Sequence, residues 1–245
     1  DPNTANLLIN YTKGIIRNYM VSKAGDQQLP IQINTEYKMR FNPELKSVYM
    51  FVPGVITILL MLVSAMMTSI SIAREKELGT MEVLLVSPLK PIQIVVGKVI
   101  PYVVLSFVNA ITILLLAFFV FGMPVEGSMV LLLAESLLFI VMALSLGILI
   151  STVANSQQTA MLISMVALML PTILLSGFIF PIENMPVVLQ WLCNIMPTKW
   201  FIIIIKDIMI KGVGLAYIWK ETLIIFGMTL LFIGISVKKF KIRLE

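Results

Sequence analysis

The 245-residue sequence contains no histidine and only one cysteine. The missing histidines exclude Ser-His-Asp and Cys-His nucleophilic catalysis, HExxH zinc sites and histidine ligation of metals. Because Cys193 has no second cysteine to pair with, the chain forms no internal disulfide. These two absences remove most common classes of catalytic site.

Charged residues are also scarce, at 13% of the chain against about 25% in ordinary soluble domains. Apolar residues make up 59% of the chain, and the mean hydropathy is +0.99. A soluble fold has no interior large enough for so much apolar surface, so the composition predicts an all-α polytopic membrane protein. The net charge of +5 is typical of loops and tails in such proteins, and no interleaving of basic and aromatic residues indicates nucleic-acid binding.

Five apolar runs are long enough to cross a bilayer, which takes about 20 residues. The predicted transmembrane domain is 48–245, and its spans are about 49–73, 94–121, 129–151, 159–180 and 219–237. Pro101 is expected to bend the second span, and Pro171 lies inside the fourth. Lys98 is expected to anchor the second span at the membrane surface.

Residues 1–47 have no long apolar run. Asn3 or Thr4 is suited to cap a helix. The apolar face of that helix would consist of Leu8, Tyr11, Ile15 and Tyr19. Residues 31–41 alternate between apolar and polar side chains, which predicts a half-buried β-strand that needs partner strands. We therefore expect 1–47 to be the C-terminal part of an extracytoplasmic α+β domain in an N-terminally truncated chain, with an isolated amphipathic arm as the alternative.

Prolines interrupt the segment 181–212, and its apolar runs are too short to cross a membrane. This pattern predicts a re-entrant or interfacial helical hairpin, with an external loop carrying an amphipathic helix as the alternative. Four basic residues within 238–245 indicate a cytoplasmic C-terminus. Five spans then place 1–47 outside the cytoplasm and the loop 74–92 inside it.

The loop 74–92 carries the most informative pattern. Its first half is charged, and Gly79 and Thr80 are suited to end one helix and cap the next. Glu82 lies in the first turn of that next helix, where the helix N-terminus favours an anion. A short amphipathic helix held between two spans is suited to docking in a groove of a soluble partner. A simply solvated loop is the alternative.

Several motifs, taken in order along the chain, resemble those of the permease subunits of type-2 family ABC exporters. They are Glu75-Lys-Glu77-x-Gly79-Thr80-x-Glu82-x-Leu84-Leu85-x-Ser87-Pro88, Gly97-Lys98, Pro101-Tyr102, Asn155-Ser-Gln157-Gln158, and Ser176-Gly177-Phe-Ile-Phe-Pro181-Ile-Glu-Asn-Met-Pro186 with Pro197 and Trp200 downstream. The resemblance covers roughly residues 48–243 and is to the drug-exporter-like branch with a large extracytoplasmic domain. That branch has six spans per subunit, so it implies that the first span and part of the outer domain are missing here.

The resemblance also implies roles for particular residues. The loop between the first two spans of this chain would form a coupling helix that docks on a separate ATPase subunit. Its matching positions are Glu75, Glu77, Gly79, Thr80 and Glu82. The proline-rich hairpin would dip into the membrane from outside and cap the transport pathway. Its matching positions are Pro181, Pro186, Pro197 and Trp200.

The implied protein is an exporter subunit of the bacterial inner membrane that works by alternating access. Its implied partners are an ABC ATPase subunit, a second permease subunit and membrane lipid, and a periplasmic adaptor is left open. ATP and Mg²⁺ would be bound by the ATPase. This chain has no GxxxxGK[ST] phosphate loop, because Gly97-Lys98 lacks the earlier glycine and is followed by Val99. No catalytic residue, cofactor or metal is therefore expected in it.

Glu135 lies inside the third predicted span, where an ionised side chain costs roughly 2.5–3.5 kcal/mol on insertion scales. It is a candidate for the translocation pathway, and a snorkelling or protonated side chain is the alternative. Two other functions stay open on the residues alone. One is a membrane-anchored receptor or structural protein displaying an extracytoplasmic domain, and the other is an intramembrane enzyme.

Overall fold

The computed structural model describes residues 2–24, 40–44, 46–80 and 91–242. It divides into two compact units, Asp1–Met50 and Phe51–Glu245. Helices dominate these ranges, and no strand occurs within them. The β-strand predicted for 31–41 lies almost wholly outside the described residues, which include only its last two positions, in a bend.

The first unit contains α1, Pro2–Ala24, and the first residues of α2, Val48–Glu77. The predicted N-terminal helix is therefore present, and its apolar stripe is exposed, with Tyr11 65% and Ile15 68% accessible. The helix begins earlier than predicted, so Thr4 lies inside the first turn and does not precede it. Proline explains the earlier start, because its fixed φ and missing N–H suit the first helical position.

The second unit contains the rest of α2 and seven further α-helices within the described ranges. These are α3 Pro91–Phe119, α4 Met129–Val153, α5 Gln157–Ser164, α6 Leu170–Leu175, α7 Val187–Ile195, α8 Pro197–Met209 and α9 Leu215–Ile242. A π-helical turn, Met165–Met169, joins α5 to α6, and a 3₁₀ turn, Ile182–Asn184, precedes α7.

Five helical segments are long and apolar enough to cross a membrane, as the sequence predicts. They are Val48–Glu77, Val99–Phe119, Met129–Val153, Gln157–Leu175 and Leu215–Ser236. Four boundaries differ from the prediction by four or five residues, among them the starts of the second and last segments at Val99 and Leu215. The first helix continues past Arg74 to Glu77, because charged side chains are accommodated in a helical turn that leaves the apolar region. The fourth ends at Leu175, before Gly177 takes a left-handed φ of 76°.

The π-helical turn in the fourth span lies just before Pro171. Proline has no N–H to donate to the carbonyl four residues back, and its ring crowds that carbonyl. A wider turn relieves both problems, and π-turns of this kind occur inside otherwise α-helical segments. The span therefore continues through its proline without a break.

Helix α4 is the centre of the second unit, packing on α3, α5, α8 and most extensively on α9. Its contact with α2 is unusually close. A Cβ atom added at Gly147 would lie 2.3 Å from the main-chain oxygen of Ala65. Nearer the start of α2, the ring of Phe178 lies directly against Gly54 and makes an edge-to-face contact with Phe51 at 5.9 Å.

The helices α7 and α8 meet at an angle of 80°, as in a broken span or a re-entrant segment. At about 13 and 20 Å, neither is long enough to cross alone. The amide of Glu126 donates to the carbonyl of Met209 at 3.0 Å, and Phe139 stacks on Phe201 at 4.0 Å, so α8 runs along the first half of α4. Since α7 packs on α6, where the fourth span ends, both helices lie at one end of the bundle. The re-entrant hairpin stays a prediction for this segment, since the bent pair fits either arrangement.

Candidate functional site

The end of α2 carries the first part of the motif 75–88. The helix stops at Glu77, and the amide of Gly79, with φ 72°, donates to the carbonyl of Lys76 at 3.2 Å. The Thr80 hydroxyl donates to the carbonyl of Glu75 at 3.2 Å. These bonds satisfy carbonyls that a helix end otherwise leaves without partners, and the left-handed residue accounts for glycine at this position.

Glu77 reaches across to the start of α5. Its Oε2 accepts from the main-chain amide of Gln157 at 2.9 Å and from the side-chain Nε2 of the same residue at 3.2 Å. Glu77 is exposed and lies one turn beyond Ala73, the last residue of the uncharged span. The two donated hydrogen bonds, the main-chain one first, lower the pKa of this carboxyl, so it stays ionised at neutral pH.

Lys76 makes the complementary contact with the end of α4. Its ammonium group donates to the main-chain carbonyl of Ser151 and reaches that of Ala154 at 3.4 Å. The turn between the two helices, residues 154–156, is thus held from α2 on both sides. Ser156 closes the turn by capping α5, since its hydroxyl accepts from the amide of Thr159 at 3.2 Å.

Small side chains allow this close approach. Ala73, Ala154 and Ala160 are fully buried against one another. One turn further into the span, the hydroxyls of Ser69 and Ser164 lie 2.8 Å apart, and both are buried. The end of α2 is therefore joined to α4 and α5 by polar and packing contacts together.

The structure places four of the five residues predicted for coupling. Glu75 is half-buried, and Glu77, Gly79 and Thr80 are exposed at the helix end. Glu82 and the rest of 81–90 lie outside the described residues. The structure joins Glu77 to the Asn155-Ser-Gln157-Gln158 motif, a pairing that the sequence did not reveal. It also adds Lys76 to the site. The sequence placed this lysine inside the motif 75–88, between two acidic residues, but not among the residues predicted for coupling.

Glu135 is buried between α4 and α9, with 3% of its surface accessible. The Thr222 hydroxyl donates to its Oε1 at 2.8 Å, while Oε2 has no hydrogen-bond partner among the described residues. It does not line the apolar groove of about 330 Å³ between α3 and α4, whose walls include Phe118 and Leu133. Glu135 is therefore an acid enclosed within the bundle in this conformation.

The predicted hairpin residues mark the helix starts of that segment. Pro181 precedes the 3₁₀ turn, Pro186 precedes α7, and Pro197 is the first residue of α8. Proline is favoured at the first helical position, which Pro197 occupies, because its φ is already suited to a helix. Pro181 and Pro186 lie one residue earlier, as the N-cap residues, with extended ψ angles of 130° and 147°. Trp200 fixes the bend between the helices, since its indole N–H donates to the carbonyl of Asn194 at 3.0 Å.

Across the described ranges, no group of three or more Cys, Asp or Glu side chains is arranged to hold a metal ion. The site at the end of α2 is a set of charged and polar groups at the joint of three helices. Charged and polar groups of this kind are suited to docking on a soluble partner.

Comparison with known proteins gives one consistent result. Residues 1–238 match the sequence pattern of the ABC-2 family transporter proteins. The chain is 33% identical over 247 residues to the probable multidrug ABC transporter permease YbhS of Escherichia coli K12, covering all of this chain and 66% of that protein. It is 34% identical over 219 residues to the probable multidrug ABC transporter permease YbhR of the same strain, covering 89% of this chain and 59% of that protein.

A more distant relative is ABC transporter G family member 20 of Dictyostelium discoideum, 28% identical over 240 residues, covering 90% of this chain and 32% of that protein. The chain thus spans about two thirds, or less, of the length of each relative. The family expected from the motifs is confirmed, and so is the expected class of multi-pass membrane permease.

Proposed function

The chain belongs to the ABC-2 family of transporter proteins, and we propose that it is the membrane-spanning part of an ATP-driven exporter permease. It would move its substrate outward by alternating access, with ATP and Mg²⁺ bound by a separate ABC ATPase subunit. The observation that carries the proposal is the joint at the end of α2. There, the charged residues Lys76 and Glu77 contact the ends of two further spans.

The joint gives a physical route from ATP to the spans. A coupling loop that docks on the ATPase shifts when two ATPase subunits close around ATP. Since α2 continues without interruption from Val48 to Glu77, a shift at its end is passed along the helix. Coupling of this kind requires only that the ATP state and the state of the substrate pathway share a free energy.

We further propose the orientation and the partners. The loop 74–92 and the C-terminus would face the cytoplasm of a bacterial cell, and residues 1–47 would lie outside the inner membrane. A second permease subunit would complete the pathway. The names of the Escherichia coli relatives support multidrug export. The 17 methionines of this largely apolar chain are flexible side chains that suit contact with varied amphiphilic substrates.

Glu135 is proposed as a residue of this pathway. Its burial within the bundle, and an oxygen with no hydrogen-bond partner in the described part of the chain, are costly features that packing alone does not require. When α4 and α9 rearrange, the carboxyl would become available to a substrate group. The Thr222 hydroxyl would hold it in the closed conformation.

The experiment is co-purification of the full-length permease with its ATPase. Gly79→Pro removes the amide that ends α2 and demands a φ of about −65° where the structure has 72°. Glu77→Lys puts a cation at the N-terminus of α5. Both variants are expected to lose the ATPase, whereas Glu183→Lys, the same change at an exposed hairpin residue, should retain it. ATPase association and transport that survive in both variants would overturn the docking proposal.

A further inference from the structure

Two adjacent side chains of opposite charge end α2, and each contacts the helix end of opposite polarity. Lys76 donates to carbonyls at the C-terminus of α4. Glu77 accepts from an amide at the N-terminus of α5. The residues are consecutive in sequence, so a single turn of α2 engages both sides of the turn 154–156.

The polarity of these contacts follows from helix electrostatics. The last carbonyls of a helix carry a partial negative charge, and the first amides carry a partial positive charge. Those groups also lack partners within their own helices. A lysine at the carbonyl end and a glutamate at the amide end therefore gain twice, from the dipole and from the hydrogen bond. Exchanging the two charges would make both contacts repulsive.

The alanine contacts one turn before Lys76 and Glu77 leave a role for directional hydrogen bonds. Ala73, Ala154 and Ala160 bring the backbones together, but methyl groups in contact do not resist sliding. Directional hydrogen bonds from Lys76 and Glu77 fix the position of the turn along and around α2. Gly79 then follows with a backbone turn that ends the helix.

We propose that Lys76 and Glu77 are positioning residues that fasten the turn 154–156 to the end of α2, so that α2, α4 and α5 move as one body when the coupling loop is displaced. This inference rests on the proposed function for its driving force, the docked ATPase. It adds that the force enters three spans together, and that Asn155, exposed on the fastened turn, travels with the docking surface.

The first test exchanges the charges. The double variant Lys76→Glu, Glu77→Lys has the same net charge and composition as the parent, so a change in general surface charge is excluded. Because Glu77→Lys alone is expected to release the ATPase, the ATPase is joined to the permease in one polypeptide for both the parent and the variant. Transport per ATP hydrolysed, measured with these fusions in proteoliposomes, is expected to fall about fivefold. Arg74→Gln, which removes an exposed charge from the same turn without touching either contact, should leave this ratio unchanged. An unchanged ratio in the exchanged variant would refute the inference.

The second test does not depend on the ATPase and so separates this inference from the proposed function. Cys193→Ser gives a cysteine-free chain, because no other cysteine is present. Spin labels at Leu78 and Asn155, both exposed, report the distance between α2 and the fastened turn. In nanodiscs the parent should give one narrow distance distribution, and the charge-exchanged variant a broadened or shifted one.

With the ATPase added, the same distance should stay constant between the ATP-bound and nucleotide-free states, since the labelled parts move together. A distance that changes between these states, or a distribution that the charge exchange leaves unaltered, would overturn the inference. If the ATPase does not associate with the parent at all, the proposed function fails, while the nanodisc comparison still decides whether Lys76 and Glu77 fasten the turn.

Discussion

Replacing Gly147 by alanine should force α2 and α4 apart. Gly147 lies in the buried stretch of α4, and the backbone of Ala65 in α2 lies directly over it. The added Cβ would be 2.3 Å from the carbonyl oxygen of Ala65, and 3.0 Å from its carbonyl carbon and from its Cα. Attractive contact needs about 3.5 Å or more between such atoms.

The magnitude follows from which atoms have to give way. Side chains can rotate out of a tight contact, but the opposing atoms here are main chain within a helix, so the helix axes must separate by about 1 Å. Inserting one methyl group into a packed core typically costs about 1–3 kcal/mol. The upper half of that range is expected, because one turn further along α4 the carbonyl of Ser151 accepts from Lys76, and it would move as well.

The assay is thermal unfolding of the purified protein in a fixed detergent. The matched control is Gly227→Ala in α9, the same change in a spanning helix, where a Cβ would meet nothing within 4 Å. Gly147→Ala should unfold at a clearly lower temperature, whereas Gly227→Ala should equal the parent or exceed it. Equal stability of the two variants would refute the close approach of α2 and α4.

Two further predictions follow from buried contacts. Gly54→Ala puts a Cβ 1.8 Å from the Phe178 ring and should also cost about 1–3 kcal/mol of stability. In a double-mutant cycle with Phe178→Ala, measured by thermal unfolding, the two losses of stability should not add. Strict additivity would contradict the contact. Glu135→Gln keeps an oxygen for the Thr222 hydroxyl, so stability should be at least that of the parent, while substrate-stimulated ATP hydrolysis should fall about fivefold or more. Unchanged transport together with unchanged stimulation would remove Glu135 from the pathway.

Much of the fold followed from hydropathy alone. The spans were predicted within a few residues because a bilayer demands about 20 apolar residues wherever the chain crosses it. The ends were less certain. Arg74 was expected to end the first span, yet the helix continues to Glu77, since charge limits burial in lipid but does not limit helix formation. The fourth span ends at Leu175, ahead of the left-handed Gly177, a turn position that hydropathy does not register.

The hairpin was predicted from the spacing of prolines, which is also a local feature of the sequence. Prolines mark helix starts, and Pro186 and Pro197 do so at α7 and α8. The 80° bend between the helices was not predictable, nor was the contact of Phe201 with Phe139, because these depend on where α4 runs.

The candidate site shows the same division. The motif 75–88 pointed to the end of α2, and the order of charges, glycine and threonine predicted a helix end there. Which groups those charges would meet was not in the sequence, because Glu77 and Gln157 are 80 positions apart.

By itself the sequence determined the membrane class, the five crossings, the family and the position of the charged loop. Each of these depends on local composition and spacing, because insertion of a segment into a bilayer depends on the hydrophobicity of that segment itself. Only the tertiary structure decided that Lys76 and Glu77 engage opposite helix ends, that Gly147 carries the contact with α2, and that Glu135 is enclosed beside Thr222. The physical reason is that helices in lipid are apolar on every side. Hydrophobicity therefore fixes that they span the membrane, whereas close packing and a few directional polar contacts fix which faces meet.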